Sequence, residues 1–135
     1  MIALTKGEID IQRYIEAAKT KKTGGIVTFT GVVRDDGIEH IILEAYEEVA
    51  EQDLIRIAGE AINKFSLNSV DIIHRIGKMN VGDTILLIVV GAPHRKAAFE
   101  GCEYIIDTIK ESVPIWKKEY LTTGERWVPG EHAPE

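Results

Sequence analysis

The stretch SVPIWKKEYLTTGERW, residues 112–127, sets two adjacent lysines straight after a tryptophan, with Ile115 and Trp116 on one side and Tyr120 and Leu121 on the other. A lysine that serves only as a solvated charge sits among polar residues, so this setting points to chemistry. If IWKKEYL is a strand, alternation puts Ile115, Lys117 and Glu119 on one face and Trp116, Lys118 and Tyr120 on the other. On a half-apolar strand face the ammonium of Lys117 is partly desolvated, which suits an acid, a base or a nucleophile. Lys110 lies at the shoulder of a helical apolar stripe, where its stem packs while its ammonium looks into a groove. The plain alternative is a solvated lysine on an exposed helix face.

A second group of cations stands at 93–96, PHRK, where an apolar strand runs into a helix. His94, Arg95 and Lys96 crowd the end at which free backbone N–H groups already make a partial positive charge, the wrong sign for stability unless an anion offsets them. Unpaired amides with an arginine fork suit a phosphate or carboxylate. A nearby acid such as Glu100 is the alternative partner. Arg34, at the end of a predicted strand, is suited to bidentate phosphate recognition but alone is a charge at a turn. His74-Arg75 falls within a strand and reads as structural, and Cys102 on an apolar stripe reads as core. The four histidines have no metal-ligand spacing, no Ser or Cys has a paired base, and no glycine-rich phosphate loop is present, so neither metal nor cofactor is expected.

Several elements must position these groups. Asp10 caps a helix carrying Ile11, Tyr14, Ile15 and Ala18, which ends near Thr20. GIVTFTGVVR is rich in β-branched residues, and Asp36-Gly37 turns it into the strand IEHIILEAY, a predicted hairpin with Arg34 at its tip. Val49, Leu54, Ile57, Ala58, Ala61 and Phe65 mark a second helix, followed by the strand VDIIHRI. After the loop GKMNVGD, the run TILLIVVG is apolar on both faces and reads as a central, buried strand. Ala98, Cys102, Ile105, Ile106, Ile109 and Val113 form the stripe of a third helix, ended by Pro114. IWKKEYL-TTG-ERWV then forms a hairpin. The order α-ββ-α-ββ-α-ββ is that of an α+β sandwich and not of a Rossmann alternation.

Composition bounds the reading. A chain of 135 residues, 44% hydrophobic, matches one ordinary domain that can bury about two-thirds of its unfolded surface. A net charge of −6 argues against broad binding to nucleic acid or an anionic membrane, so any positive patch is local. The single cysteine suits a reducing, cytoplasmic setting, and no apolar run approaches a membrane span. We expect one domain over residues 1–128 and a polar tail over 129–135.

The strings FTGVVR (29–34), LEAYEEVA (43–50), HRIGKMNVGD (74–83), GAPHRKAAFE (91–100), IDTIKESVPIWKKE (106–119) and GERWV (124–128) together resemble the catalytic, large subunits of molybdopterin synthases, in order and over nearly the whole chain. The resemblance implies a sulfur transferase that converts cyclic pyranopterin monophosphate to molybdopterin. The sulfur donor would be a small ubiquitin-like sulfur-carrier subunit bearing a C-terminal Gly-Gly thiocarboxylate. It also implies a homodimer core within a heterotetramer. Lys110 and Lys117 would lie in the pocket that receives the tail and the pterin, as catalytic residues, with Arg34, His94 and Arg95 holding the anionic precursor. The fold expected is α+β, an antiparallel or mixed sheet with packed helices, α/β-hammerhead-like, plus a small β subdomain. One departure is notable: members of this family commonly carry a basic residue soon after the WV pair, where this chain has Pro129, Gly130 and Glu131. The competing class is a non-catalytic sensor module that binds a phosphometabolite through PHRK and Arg34 and has no need of Lys117.

Overall fold

The computed structural model describes residues 1–121 and 124–128. The elements run β1 (Ile2–Thr5), α1 (Ile11–Ala18), β2 (Gly25–Val32), β3 (Ile38–Ala45), α2 (Glu47–Phe65), β4 (Ser69–Arg75), β5 (Gly77–Asn80), β6 (Thr84–Ala92), α3 (Arg95–Ser112), β7 (Ile115–Leu121) and β8 (Gly124–Val128). They form two four-stranded sheets, ordered β1-β4-β6-β2 and β5-β3-β7-β8. The pairing of β1 with β4 is parallel and the other pairings are antiparallel, so the α+β, mixed-sheet expectation holds. The predicted tail at 129–135 lies outside the described residues. Among the described residues no helix is long and apolar enough to cross a membrane.

The doubly apolar run TILLIVVG explains the first sheet. In β6, Leu86, Ile88 and Val90 join the core under α2 and α3, while Leu87 and Val89 join the core under α1 on the opposite face. A strand buried on both faces also needs backbone partners on both edges, because unpaired buried amides are costly. It takes β4 on one side and β2 on the other.

That demand overturns one expectation. β2 and β3 are not a hairpin: β2 is drawn to β6, and β3 pairs with β5 and β7 in the second sheet. The Asp-Gly turn forms, with Gly37 at φ +80 and its amide donating to Asp35 Oδ1 at 3.1 Å, but it carries the chain from one sheet to the other. Val33 fixes the departure, since its amide donates to the Asp83 carbonyl at 2.9 Å and its carbonyl accepts from Gly82 at 2.7 Å. Two short edge strands, β1 and β5, go beyond the expected elements. β1 carries little pattern in its four residues. β5, read as loop, is held by long-range pairing to β3 and by burial of Met79. The turn after it needs Gly82, whose φ of +92 is in the left-handed region.

The helices follow their patterns closely. Asp10 caps α1 by accepting from the Arg13 amide at 3.3 Å. α2 ends at Ser66 in a left-handed conformation. α3 ends at Val113, which is extended at φ −84, ψ 127 as a residue before proline must be.

Candidate active site

The corner at Val113-Pro114 builds the site. α3 packs on the first sheet and β7 belongs to the second, so a junction of two residues brings the last turn of the helix against the start of the strand. Lys110 lies in that last turn, where a cation also favours the helix dipole. Lys117 is the third residue of β7. Both line one open cavity of about 730 Å³ between the sheets. Its walls include Leu43, Ile85, Ile109, Val113, Ile115 and Val128, and of the two lysines Lys117 is half-buried and Lys110 is exposed.

Lys117 is held from below. Its Nζ lies 3.1 Å from Glu119 Oε2, and Arg126 Nε, across the β7–β8 pair, lies 2.6 Å from Oε1 of the same carboxylate. Burial opposes ionisation of Glu119, but the hydrogen bonds from Arg126 and Lys117 and their two positive charges prevail and hold its pKa below the ordinary carboxylate value. Lys118 occupies the opposite strand face. It pairs with Glu125 at 3.1 Å and lies 4.9 Å from the Trp127 ring centre, outside the cavity.

Arg34 stands beside this arrangement. It borders a smaller cleft that also touches Lys117 and Glu119, and its side chain is 85% exposed, with Nε bonded to Asp36 at 2.9 Å. His94 and Arg95 are elsewhere. His94 is the N-cap of α3 and makes no capping hydrogen bond with its side chain, and Arg95 opens the helix. Both are exposed, as is Lys96, and among the described ion pairs none joins them to Glu100. Gly24 lets the chain pass this corner, because a Cβ there would meet the Pro93 carbonyl oxygen at 2.2 Å. From Arg95 to Lys110 the helix rises about 22 Å, at ~1.5 Å per residue. The chain therefore gathers Lys110, Lys117 and Arg34 and keeps His94 and Arg95 at the far end of α3.

Two further groups belong to the site. Glu119 and Arg126 anchor Lys117, a relation that strand alternation hints at but that needs the β7–β8 register to see. His74, read from the sequence as structural, is buried and lines the lysine cavity. Its place on the same face of β4 as Val70 and Ile72, toward α3, is the sequence signal that could have found it. Cys102 is core, and burial pushes its thiol up to about 11. Among the described residues no group of His, Cys, Asp or Glu could hold a metal.

Known proteins of this kind bear on the geometry. Residues 4–112 match the family described as MoaE protein. The chain is 42% identical over 132 residues to the molybdopterin synthase catalytic subunit of Pyrococcus abyssi, covering 94% of this chain and 89% of that one. It is 42% identical over 129 residues to the subunit of the same description from Bacillus subtilis, covering 93% and 82%. The crystal structure of molybdopterin synthase from Staphylococcus aureus superposes with a TM-score of 0.90 at 37% identity, covering 95% of this chain and 96% of that one.

Proposed function

The chain belongs to the MoaE protein family, and from that premise we propose that it is the catalytic subunit of a molybdopterin synthase, acting in molybdenum cofactor biosynthesis. It takes sulfur from the C-terminal thiocarboxylate of a small ubiquitin-like subunit and delivers it to cyclic pyranopterin monophosphate. The observation that carries this reading is the placement of Lys110 and Lys117 on one apolar-walled cavity.

The substrates and intermediates of such a transfer are negative: a thiocarboxylate, a phosphate and the oxyanion of each acyl-transfer step. On a protein of net charge −6 they need a local positive site. The half-buried ammonium of Lys117 stabilises developing negative charge more strongly than it would in water, the exposed Lys110 adds a second positive charge, and a lysine can also move a proton. We assign acid–base work to Lys117 and charge stabilisation to Lys110. Arg34, beside Lys117, then meets the precursor's anionic end.

The helix length gives His94 and Arg95 a different route to the same substrate. About 22 Å of helix, at ~1.5 Å per residue, exceeds the reach of a tricyclic pterin phosphate. In the homodimer core we propose, a second copy supplies its exposed PHRK corner to the first copy's cavity, with one small subunit at each end. The lone, buried Cys102 suits a cytoplasmic enzyme. A phosphometabolite sensor would use PHRK and Arg34 alone and leaves the lysine cavity without a purpose. The deciding experiment mixes the purified protein with cyclic pyranopterin monophosphate and the thiocarboxylated partner. Formation of molybdopterin supports the synthase, and precursor binding without sulfur incorporation supports the sensor.

A further inference from the structure

His74 has no part in the reading above, although it lines the lysine cavity and only 7% of it is exposed. Its Nδ1 lies 3.0 Å from the Arg75 carbonyl oxygen. A carbonyl can only accept, so Nδ1 carries the hydrogen. Burial pushes the ring's pKa below its ordinary value of 6.5, against the hydrogen bond to the Arg75 carbonyl, and the ring is neutral at neutral pH. A neutral ring protonated at Nδ1 has a bare Nε2, which can only accept.

No described residue donates to Nε2. Because His74 lines the cavity and its Nδ1 is turned to the Arg75 carbonyl, Nε2 is the ring nitrogen left for an occupant of the cavity. The charged groups lining that cavity are Lys110 and Lys117, which have hydrogens to give and no lone pair to offer. Glu119, the neighbouring acceptor, is already shared by Lys117 and Arg126.

An extended Gly-Gly tail brings both kinds of polar group. Its carbonyls and thiocarboxylate match the lysines, and its amide N–H groups need acceptors, because an unmatched amide in an apolar cavity costs free energy. We propose that His74 binds the donor's tail, its Nε2 accepting a hydrogen bond from a backbone N–H of the terminal glycines and so fixing how deep the thiocarboxylate sits between Lys110 and Lys117. The inference rests on the reading that this cavity receives the tail. A ring N–H of the pterin offers the same chemistry, and the experiment separates the two sources.

Steady-state sulfur transfer is measured with each substrate varied in turn, for the wild type, His74→Leu and His74→Gln, glutamine keeping an acceptor near the Nε2 position. His74→Leu should raise KM for the thiocarboxylated partner by about tenfold or more, the worth of an amide left unpaired, with the pterin KM unchanged. His74→Gln should recover most of that loss. In the wild type, the Nε2 nitrogen resonance should move when intact partner is added and stay put with a partner lacking its last two residues.

An unchanged partner KM in a folded His74→Leu protein overturns the proposal. So does a rise confined to the pterin KM, which would give the acceptor to the precursor, or an equal loss in folded His74→Gln, which would make the role one of packing. If His74→Leu does not fold, the tail-dependent resonance decides. If the wild type makes no molybdopterin, the functional reading fails on its own, and the resonance still decides the fate of His74.

Discussion

Lys117 Nζ and Glu119 Oε2 lie 3.1 Å apart on one face of β7, and the carboxylate beneath the lysine is 4% exposed. A buried carboxylate that also holds Arg126 fixes its partners more firmly than a surface pair could, since exposed ion pairs trade contact for solvent and entropy. Glu119→Gln should therefore loosen Lys117 and lower single-turnover sulfur transfer by about tenfold, while a thermal melt keeps a single transition. A wild-type rate in Glu119→Gln would show that Lys117 needs no anchor.

The same carboxylate gives a pH dependence of defined sign. Its pKa is lowered in the folded chain, so its contribution to stability is present above the ordinary carboxylate value of 4.5 and is lost as pH falls through the lower folded value. Acid unfolding of the wild type should carry this slope below about pH 4.5, and Glu119→Gln should reduce it. Equal acid slopes for the two proteins would remove Glu119 from the account.

Lys117 distinguishes proton transfer from charge alone. Arginine keeps the charge but is effectively never deprotonated, and its head is larger and planar. Lys117→Arg and Lys117→Ala should both lose on the order of 10²-fold in single-turnover rate, with Arg retaining more precursor affinity. A rate for Lys117→Arg within about tenfold of wild type would leave only the electrostatic role and move the acid–base step to Lys110.

At the other end of α3, Arg95→Ala should weaken precursor binding by about 1.5–3 kcal/mol, the worth of a charge-assisted hydrogen bond, with no change in melting temperature because the side chain is exposed. Calorimetric titration checks this. Unchanged affinity would take Arg95 out of the precursor site.

Cys102 gives a prediction about the core. Burial raises its thiol from 9.0 to about 11, so its stabilising contribution is complete below pH 9 and is lost as pH rises toward 11. Cys102→Ala should flatten that alkaline loss, read from denaturant melts across the range. Native Cys102 should also react with iodoacetamide far more slowly than the unfolded chain at pH 8, because the thiolate is the nucleophile. Fast native alkylation would contradict its burial.

Local periodicity made much of this legible. The α3 stripe through Ile105 and Ile109, its end before Pro114, and the alternation that separates Lys117 from Lys118 are all consequences of helix and strand repeats. Pairing across the chain was less readable. Nothing near Phe29 or Ile41 says that one strand will choose β6 and the other β7, since that choice follows from what β6 needs on both edges. Gly77–Asn80 is a strand because β3 has a free edge, a fact held thirty-odd residues upstream. His74 was legible in part: alternation puts it on the core face with Val70 and Ile72, and the approach of α3 and β7 makes that face a cavity wall.

The second sheet draws its strands from three separate parts of the chain, 38–45, 77–80 and the pair 115–121 with 124–128, each divided from the next by strands of the first sheet. No continuous fragment could carry it, and among the described residues no linker lets it swing or melt alone. The lysine cavity lies on the seam between the sheets, so it exists only while both are docked. Heat inactivation and loss of secondary structure should accordingly trace one curve, and the enzyme should pass from active to unfolded without an inactive folded stage between them.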